Sequence, residues 1–346
     1  MLPKVRGLYL NDHDPGIHGA SEWLLRMWND EAWLRESNDA LRTDATPRAA
    51  VVEAAMRSAD AAVPRWYVSA DGQTMVVIPG PAEFTMGSPK DEDVATLNDP
   101  VHPKRIGRTY AIAAKAVSVE QFRAFNAAHV LPARFGIRLD LPAVRVDWYA
   151  AAAYCNHLSR MEGIPPEQWC YEDVSSDGHP DVRAKRNLLS LTGYRLPTEA
   201  EMEYATRAGT TTDRPYGESE ELLSRYAWFA GNSEGTTHPG GRLKPNDLGL
   251  FDTLGNVLEW SQNIYLPDPQ DRLRAAANRD DVEDAAELYP GDAFRTLFRA
   301  QRGGSFTHSR WESRSATRTN YAVMTDSTDY MGFRVARTLH ISLPEK

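Results

Sequence analysis

The sequence predicts an α+β fold in which a few short helices sit among loop-rich β structure, and three observations carry that prediction. Helical spacing of apolar residues dominates the first 65 residues, short alternating and β-branched runs take over from Trp66, and three later helices announce themselves by their caps. Strands and helices do not alternate one for one, which argues against a doubly wound parallel sheet.

Composition narrows the function classes. With 48 acidic against 39 basic residues and a net charge of -9, the field of the chain repels phosphate backbones, so nucleic acid is not an expected partner. No segment approaches the ~18 unbroken apolar residues of a membrane helix, and the start Met1-Leu-Pro-Lys-Val-Arg has no signal-peptide core. No membrane partner and a cytoplasmic setting are therefore expected. Cys155 and Cys170 are the only cysteines among 346 residues, too few for a disulfide scaffold or a cysteine-rich zinc module, and both are expected as buried core thiols.

The elements follow in order. Trp23, Leu24, Leu25, Met27 and Trp28, then the alanine-rich run 49–62, mark residues 1–65 as a small helical appendage, with the main domain spanning 66–346. Met75-Val-Val-Ile-Pro-Gly reads as a strand closed by a turn. Ser118 with Gln121 caps a helix that places Phe122 and Phe125 on one face, and Asp147 caps a helix over 148–161 stopped by Gly163 and Pro165. Thr198 and Glu201 form a capping box for a helix whose inward face includes Tyr204. The acidic, alanine-rich stretch 267–295 suits a surface insertion, partly helical. Gly255-Asn256 reads as a turn that delivers Trp260 to the core, and Gly303-Gly304 as a site of positive φ or close backbone approach.

Five blocks in fixed order go further: Met75-Val-Val-Ile-Pro-Gly with Phe84-Thr-Met-Gly-Ser, Tyr194-Arg-Leu-Pro-Thr-Glu-Ala-Glu-Met-Glu-Tyr, the run 245–260 ending Gly-Asn-Val-Leu-Glu-Trp260, Arg302-Gly-Gly-Ser, and Gly332-Phe-Arg-Val. Together they resemble the formylglycine-generating enzyme family, also called sulfatase-modifying factor-like domains, over roughly residues 70–339. The resemblance implies a C-type lectin-like fold, mostly irregular with small antiparallel sheets and two or three helices. It also implies where oxidase chemistry would sit, since members that oxidise a substrate cysteine use two cysteines after the Arg-Gly-Gly-Ser block to hold copper. Residues 306–321 contain no cysteine, so neither that activity nor copper is expected. A second branch, the sulfoxide synthases, holds iron on histidines of a separate helical bundle, but only His13 and His18 precede the domain, and iron is not expected either.

Two features remain. The family binds structural calcium through hard oxygens, and the matching positions are Asn232 and Ser233 for one site and Asp252, Gly255, Val257 and Glu259 for the other, against the plainer reading of turns held by hydrogen bonds. Between the blocks at 302 and 332, aromatics, hydroxyls and acids mix without period, as they do on recognition surfaces. Phe306, Thr307, His308, Ser309, Trp311, Glu312, Ser313, Asn320, Tyr321 and Tyr330 are the expected ligand-binding residues, with Arg314, Arg318 and Arg334 as props beneath them. The variable proteins of diversity-generating retroelements, which resemble the same family, vary at this end of the fold. The reading is a non-catalytic module that binds a ligand, most simply a protein. One alternative is a metal- and oxygen-dependent enzyme lined by His308, Trp311 and Glu312. Another is a regulatory or immunity-type subunit whose Trp23, Leu24, Trp28 and Trp33 dock to a larger complex, unless they cover the main domain.

Overall fold

In the computed structural model the described residues are 1–57, 64–88, 100–136, 138–173, 182–265, 277–282, 298–319 and 325–341. Four helices come first: α1 (Leu2–Asn11), α2 (Pro15–Met27), α3 (Glu31–Thr43) and α4 (Ala45–Arg57). Then follow β1 (Trp66–Val68), β2 (Thr74–Ile78), β3 (Ala82–Met86), β4 (His102–Ile106), β5 (Arg108–Ala113), α5 (Val119–Phe125) and α6 (Trp148–Met161). The remaining elements are β6 (Tyr171–Asp173), β7 (Val182–Ala184), β8 (Tyr194–Arg195), α7 (Glu199–Arg207), β9 (Leu258–Ile264), β10 (Arg299–Arg302), β11 (Arg318–Thr319), β12 (Met331–Gly332) and β13 (Ala336–Ile341). One sheet runs β1-β2-β5-β13-β8 and is antiparallel throughout. A second runs β11-β10-β9-β12, with β12 parallel to β9, and β3-β4 and β6-β7 form hairpins.

The helices expected from caps begin where the caps place them. Ser118 Oγ accepts from Gln121 N while the Gln121 side chain accepts from Ser118 N, Asp147 accepts from Ala150 N, and Thr198 and Glu201 make the second reciprocal box. These caps satisfy backbone donors that a helix start leaves orphaned, which is why they are readable locally. α6 lies against the main core, where Trp148 and Trp260 are both fully buried. Their indole nitrogens donate to Ser261 O at 3.1 Å and Val146 O at 2.9 Å, so burial leaves neither donor unpaired.

The N-terminal helices pack on the rest of the chain. Val51 and Ala55 of α4 belong to the same buried cluster as Tyr67, Met75 and Trp260. The buried His18 ring of α2 stacks between Tyr9, 4.3 Å away, and Trp66, 3.7 Å away, while Trp66 Nε1 donates to Asp12 O at 2.7 Å. A Cβ on Gly19 would stand 2.7 Å from Gly249 Cα, and one on Gly249 would collide with Pro15 O, so α2 meets the 245–250 loop backbone to backbone. The composition change at residue 65 marks a change of element type across a shared core. Leu24 and Trp33 pack on the cluster of Tyr9 and Leu25, and Trp23 packs on the main body with Lys244 over its ring at 5.3 Å; Trp28 remains partly exposed.

Most of the acidic stretch 267–295 lies outside the described residues. Residues 277–280 and 282 are exposed, while Asp281 is buried, its carboxylate paired with Arg108 and bonded by Thr198 Oγ1 at 2.8 Å. An acid that satisfies a buried guanidinium is held inside by charge, whatever the composition around it.

Candidate functional site

The segment after β10 is carried by a buried electrostatic frame. Glu199, Glu201 and Glu203 on α7 are all buried, and each is claimed by arginine. Arg302 reaches Glu199 at 3.1 Å and Glu203 at 2.8 Å, Arg207 closes on Glu203 at 2.8 Å, and Arg195 binds Glu201 in a fork with both contacts at 2.7 Å. Arg318 joins Glu199, and Arg108 joins Glu201. Burial alone would raise the Glu201 carboxyl, but Arg108 and Arg195 outweigh it and bring it down to about 2. On β9, Glu259 is chelated by Arg334, with one contact at 2.6 Å, and Arg334 also donates to the carbonyls of Ala113, Ala114 and Phe251. Arg318 and Arg334 are therefore props, as expected.

Beyond Arg302 the backbone turns through Gly303 and Gly304, at φ +100° and +68°, and enters a run of turns over 305–317. Fixed points hold that run. Phe306 N donates to Asn256 O at 2.9 Å, Ser233 Oγ donates to Phe306 O at 2.7 Å, and Ala230 N donates to His308 O at 2.8 Å. The buried Arg214 guanidinium donates to the carbonyls of Ser313 and Arg310, both at 3.2 Å. Above these anchors Thr307, Ser309, Arg310 and Trp311 are exposed, Trp311 at 55%, with His308, Glu312 and Tyr330 half-buried beside them.

Two of the expected recognition residues are corrected. Phe306 is 1% exposed, with its ring edge-on to Phe135 at 5.9 Å, because its pinned backbone turns the side chain into the core. Ser313 is fully buried and donates to Ser309 O at 3.3 Å. Asn320 and Tyr321 lie outside the described residues. The structure brings Thr307, His308, Ser309, Trp311 and Glu312 into one patch, and the His308 ring stands 6.3 Å from that of Tyr330.

This patch is not arranged for nucleophilic catalysis. Ser309 Oγ donates to Glu312 Oε2 at 2.9 Å and so is not held by the imidazole, while His308 Nε2 is 3.9 Å from Glu312 Oε1. Burial pushes His308 below the ordinary imidazole range against the opposing pull of Glu312, so it is neutral at pH 7. Among the described residues no group of three His, Cys, Asp or Glu side chains stands ready to hold a metal ion. Cys155 and Cys170 are fully buried, and burial raises both thiols, Cys170 to about 12, so neither supplies a thiolate.

The oxygens of the two calcium-type loops make contacts within the chain. Asn232 Oδ1 accepts from Phe229 N at 2.8 Å and Ser233 O accepts from His238 Nε2 at 2.9 Å, which holds that loop as a hydrogen-bonded turn. In the other loop Arg334 takes both Glu259 oxygens, Gly255 O accepts from Val257 N at 2.9 Å, and Asp252 Oδ2 accepts from Gly241 N at 2.9 Å. Calcium wants about six to eight oxygens. Asp252 Oδ1 is the carboxylate oxygen of this loop left without a hydrogen-bond partner.

Sequence reasoning missed the Arg214 clamp, the stacked pair Trp228–His238 with centroids 3.7 Å apart, and the pairing of Asp329 with Arg134 at 2.7 Å and with Arg145. The clamp and the Asp329 pairs join residues far apart in the chain, and the Trp228–His238 stack spans an irregular loop with no period to flag it.

Comparisons with known proteins bear on the same region. The model of the sulfatase-modifying factor enzyme 1-like domain matches residues 62–339. The formylglycine-generating enzyme of Streptomyces coelicolor is 33% identical over 242 residues, covering 62% of this chain and 74% of that one. Mouse inactive C-alpha-formylglycine-generating enzyme 2 is 30% identical over 165 residues, 44% of this chain and 42% of the relative. The solved Treponema denticola variable protein 1 superposes with a TM-score of 0.59 at 27% identity, covering 77% of this chain and 95% of that one. The chain spans about half the length of the curated relatives it matches first, 51% and 42%. No helix among the described residues is long and apolar enough to cross a membrane.

Proposed function

We propose that this chain, which belongs to the sulfatase-modifying factor enzyme 1-like family, is a non-catalytic member that binds a protein ligand through the patch of Thr307, His308, Ser309, Arg310, Trp311 and Glu312, bordered by Tyr330. The observation that carries this reading is Trp311, 55% exposed on a turn whose backbone is clamped by the buried Arg214. A large aromatic held rigidly among small polar side chains offers contact area at little entropic cost. The buried state of both cysteines argues against oxidation of a substrate cysteine, and the inactive mouse relative supplies a precedent within the family. Likeness to a protein named as variable supports the finer reading that this stretch differs between relatives, as in diversity-generating retroelement proteins. The setting we propose is cytoplasmic.

The test uses the full chain immobilised beside its Trp311→Ala variant. Retention of the same protein by the wild type and its loss from the variant, with no conversion of a sulfatase-derived cysteine peptide in the presence of copper, is the expected outcome. Turnover of that peptide would sink the reading, and so would a ligand held equally by both forms.

A further inference from the structure

A cavity of about 420 Å³ lies between the β3-β4 hairpin and the C-terminal end of α7. In the hairpin register Ala82 lies opposite Ile106, Phe84 opposite Lys104 and Met86 opposite His102. Residues directly opposite one another, and those two places along either strand, share one face of a hairpin. Ala82, Met86 and Ile106 are buried, so this is the inward face. Phe84 continues it, with its ring edge-on to that of Tyr204 on α7 at 5.4 Å. Lys104 breaks the row, a half-buried lysine directly across from an aromatic ring. Its Nζ donates to Asn278 O at 3.1 Å, and among the described residues it has no carboxylate partner. The other cations of the lining are served, Arg207 by Glu203 at 2.8 Å and Arg279 by Glu83 at 2.7 Å. The cavity therefore keeps one uncompensated positive charge, in a chain whose net charge is -9. Tyr204 is half-buried in the same wall, and its hydroxyl has no hydrogen-bond partner among the described residues.

We propose that this cavity binds a small aromatic carboxylate, its ring against Phe84 and Tyr204 and its carboxylate on Lys104. A space of this size takes a small organic molecule rather than a single inorganic ion. Two half-buried rings set edge to face favour a third ring packed beside them. The Lys104 ammonium has two N–H groups beyond the one given to Asn278 O, and a carboxylate accepts them as charge-assisted bonds. The Tyr204 hydroxyl supplies a further donor to the same ligand. An organic cation is disfavoured, because the one carboxylate of the lining, Glu83, already pairs with Arg279. The site shares no residue with the Trp311 patch and does not depend on that patch binding anything.

Calorimetric titration of the full-length protein with phenylacetate tests the site, with phenethylamine and inorganic phosphate as separate arms. Saturable phenylacetate binding is expected, weakened by about tenfold or more in Lys104→Gln, the loss of one charge-assisted contact. Phenethylamine carries the same ring with the opposite charge and should not bind. Phosphate, an anion without a ring, should bind about tenfold more weakly than phenylacetate or not at all. Tyr204→Phe provides a second variant for the case in which Lys104→Gln folds poorly. It keeps the ring and removes a hydroxyl that bonds nothing among the described residues, so it should melt like the wild type and bind phenylacetate about threefold more weakly. No saturable phenylacetate heat in the wild type overturns the proposal. Wild-type affinity in Lys104→Gln, or in Tyr204→Phe where that variant stands in for it, overturns it too, as does phenethylamine binding as tightly as phenylacetate. Phosphate binding as tightly as phenylacetate would mean an adventitious ion only and would equally sink it.

Discussion

The frame under β10 and the patch above it use the same residue types in opposite ways. In the frame, Arg302, Arg195 and Arg334 are fully or almost fully buried and each is met by buried glutamate. On the patch side, Arg310 meets Glu220 at 3.1 Å and Arg134 meets Asp329 at 2.7 Å with the guanidinium groups more than half exposed. A buried pair that loses one member leaves a charge stranded, whereas an exposed pair returns its survivor to water. Stability therefore resides beneath the patch, and the patch is free to change its side chains without threatening the fold.

Three measurements sharpen or break that contrast. Arg302→Ala takes from Glu199 and Glu203 one of their two guanidinium partners, leaving Arg318 and Arg207, and should cost about 3 kcal/mol in urea unfolding, the low end for breaking a buried pair; a loss comparable to that of a surface variant would show that the frame is not what holds the turns. The second effect is acid sensitivity centred on His18. Burial depresses this imidazole from its ordinary value to about 4, against the opposing pull of Tyr9 O and Glu22. The unfolded chain then binds one more proton than the folded one between about pH 6.5 and 4, so stability falls as the solution is acidified through that window, by about 3 kcal/mol in total. Asp252 works in the opposite direction, since burial lifts its carboxyl to about 6 and protonation relieves it. The difference between the wild-type profile and that of His18→Asn isolates the imidazole, and parallel profiles would refute its role. The smallest effect belongs to the patch: Trp311→Ala and Arg310→Ala should each shift stability by less than about 0.5 kcal/mol while weakening ligand capture.

Legibility from sequence followed the range of the interaction. Ser118, Asp147 and Thr198 signal helix starts because a cap and its target are three residues apart. The family blocks carried the fold class, and Trp260 was readable as core from the turn before it. Phe306 was misjudged because its orientation is set by Asn256 and Ser233, 50 and 73 residues away, in a stretch with no period of its own. The pairing of Glu259 with Arg334, 75 residues later, is likewise invisible to any local pattern. The helical leader looked separable because composition changes at 65, whereas the stacking of His18 on Trp66 depends on shape that composition does not encode.

The glycine contact between α2 and the 245–250 loop also bears on how such proteins can be inherited. Where Gly19 lies on Gly249 with no room for a methyl group, neither surface tolerates an unrelated partner. A recombination event that joined this leader to another lectin-type body would have to carry a glycine at the receiving position, and a body moved without its leader would bare Trp66 and the loop. Leader and body are matched at this contact, and a larger side chain on one side demands a change on the other.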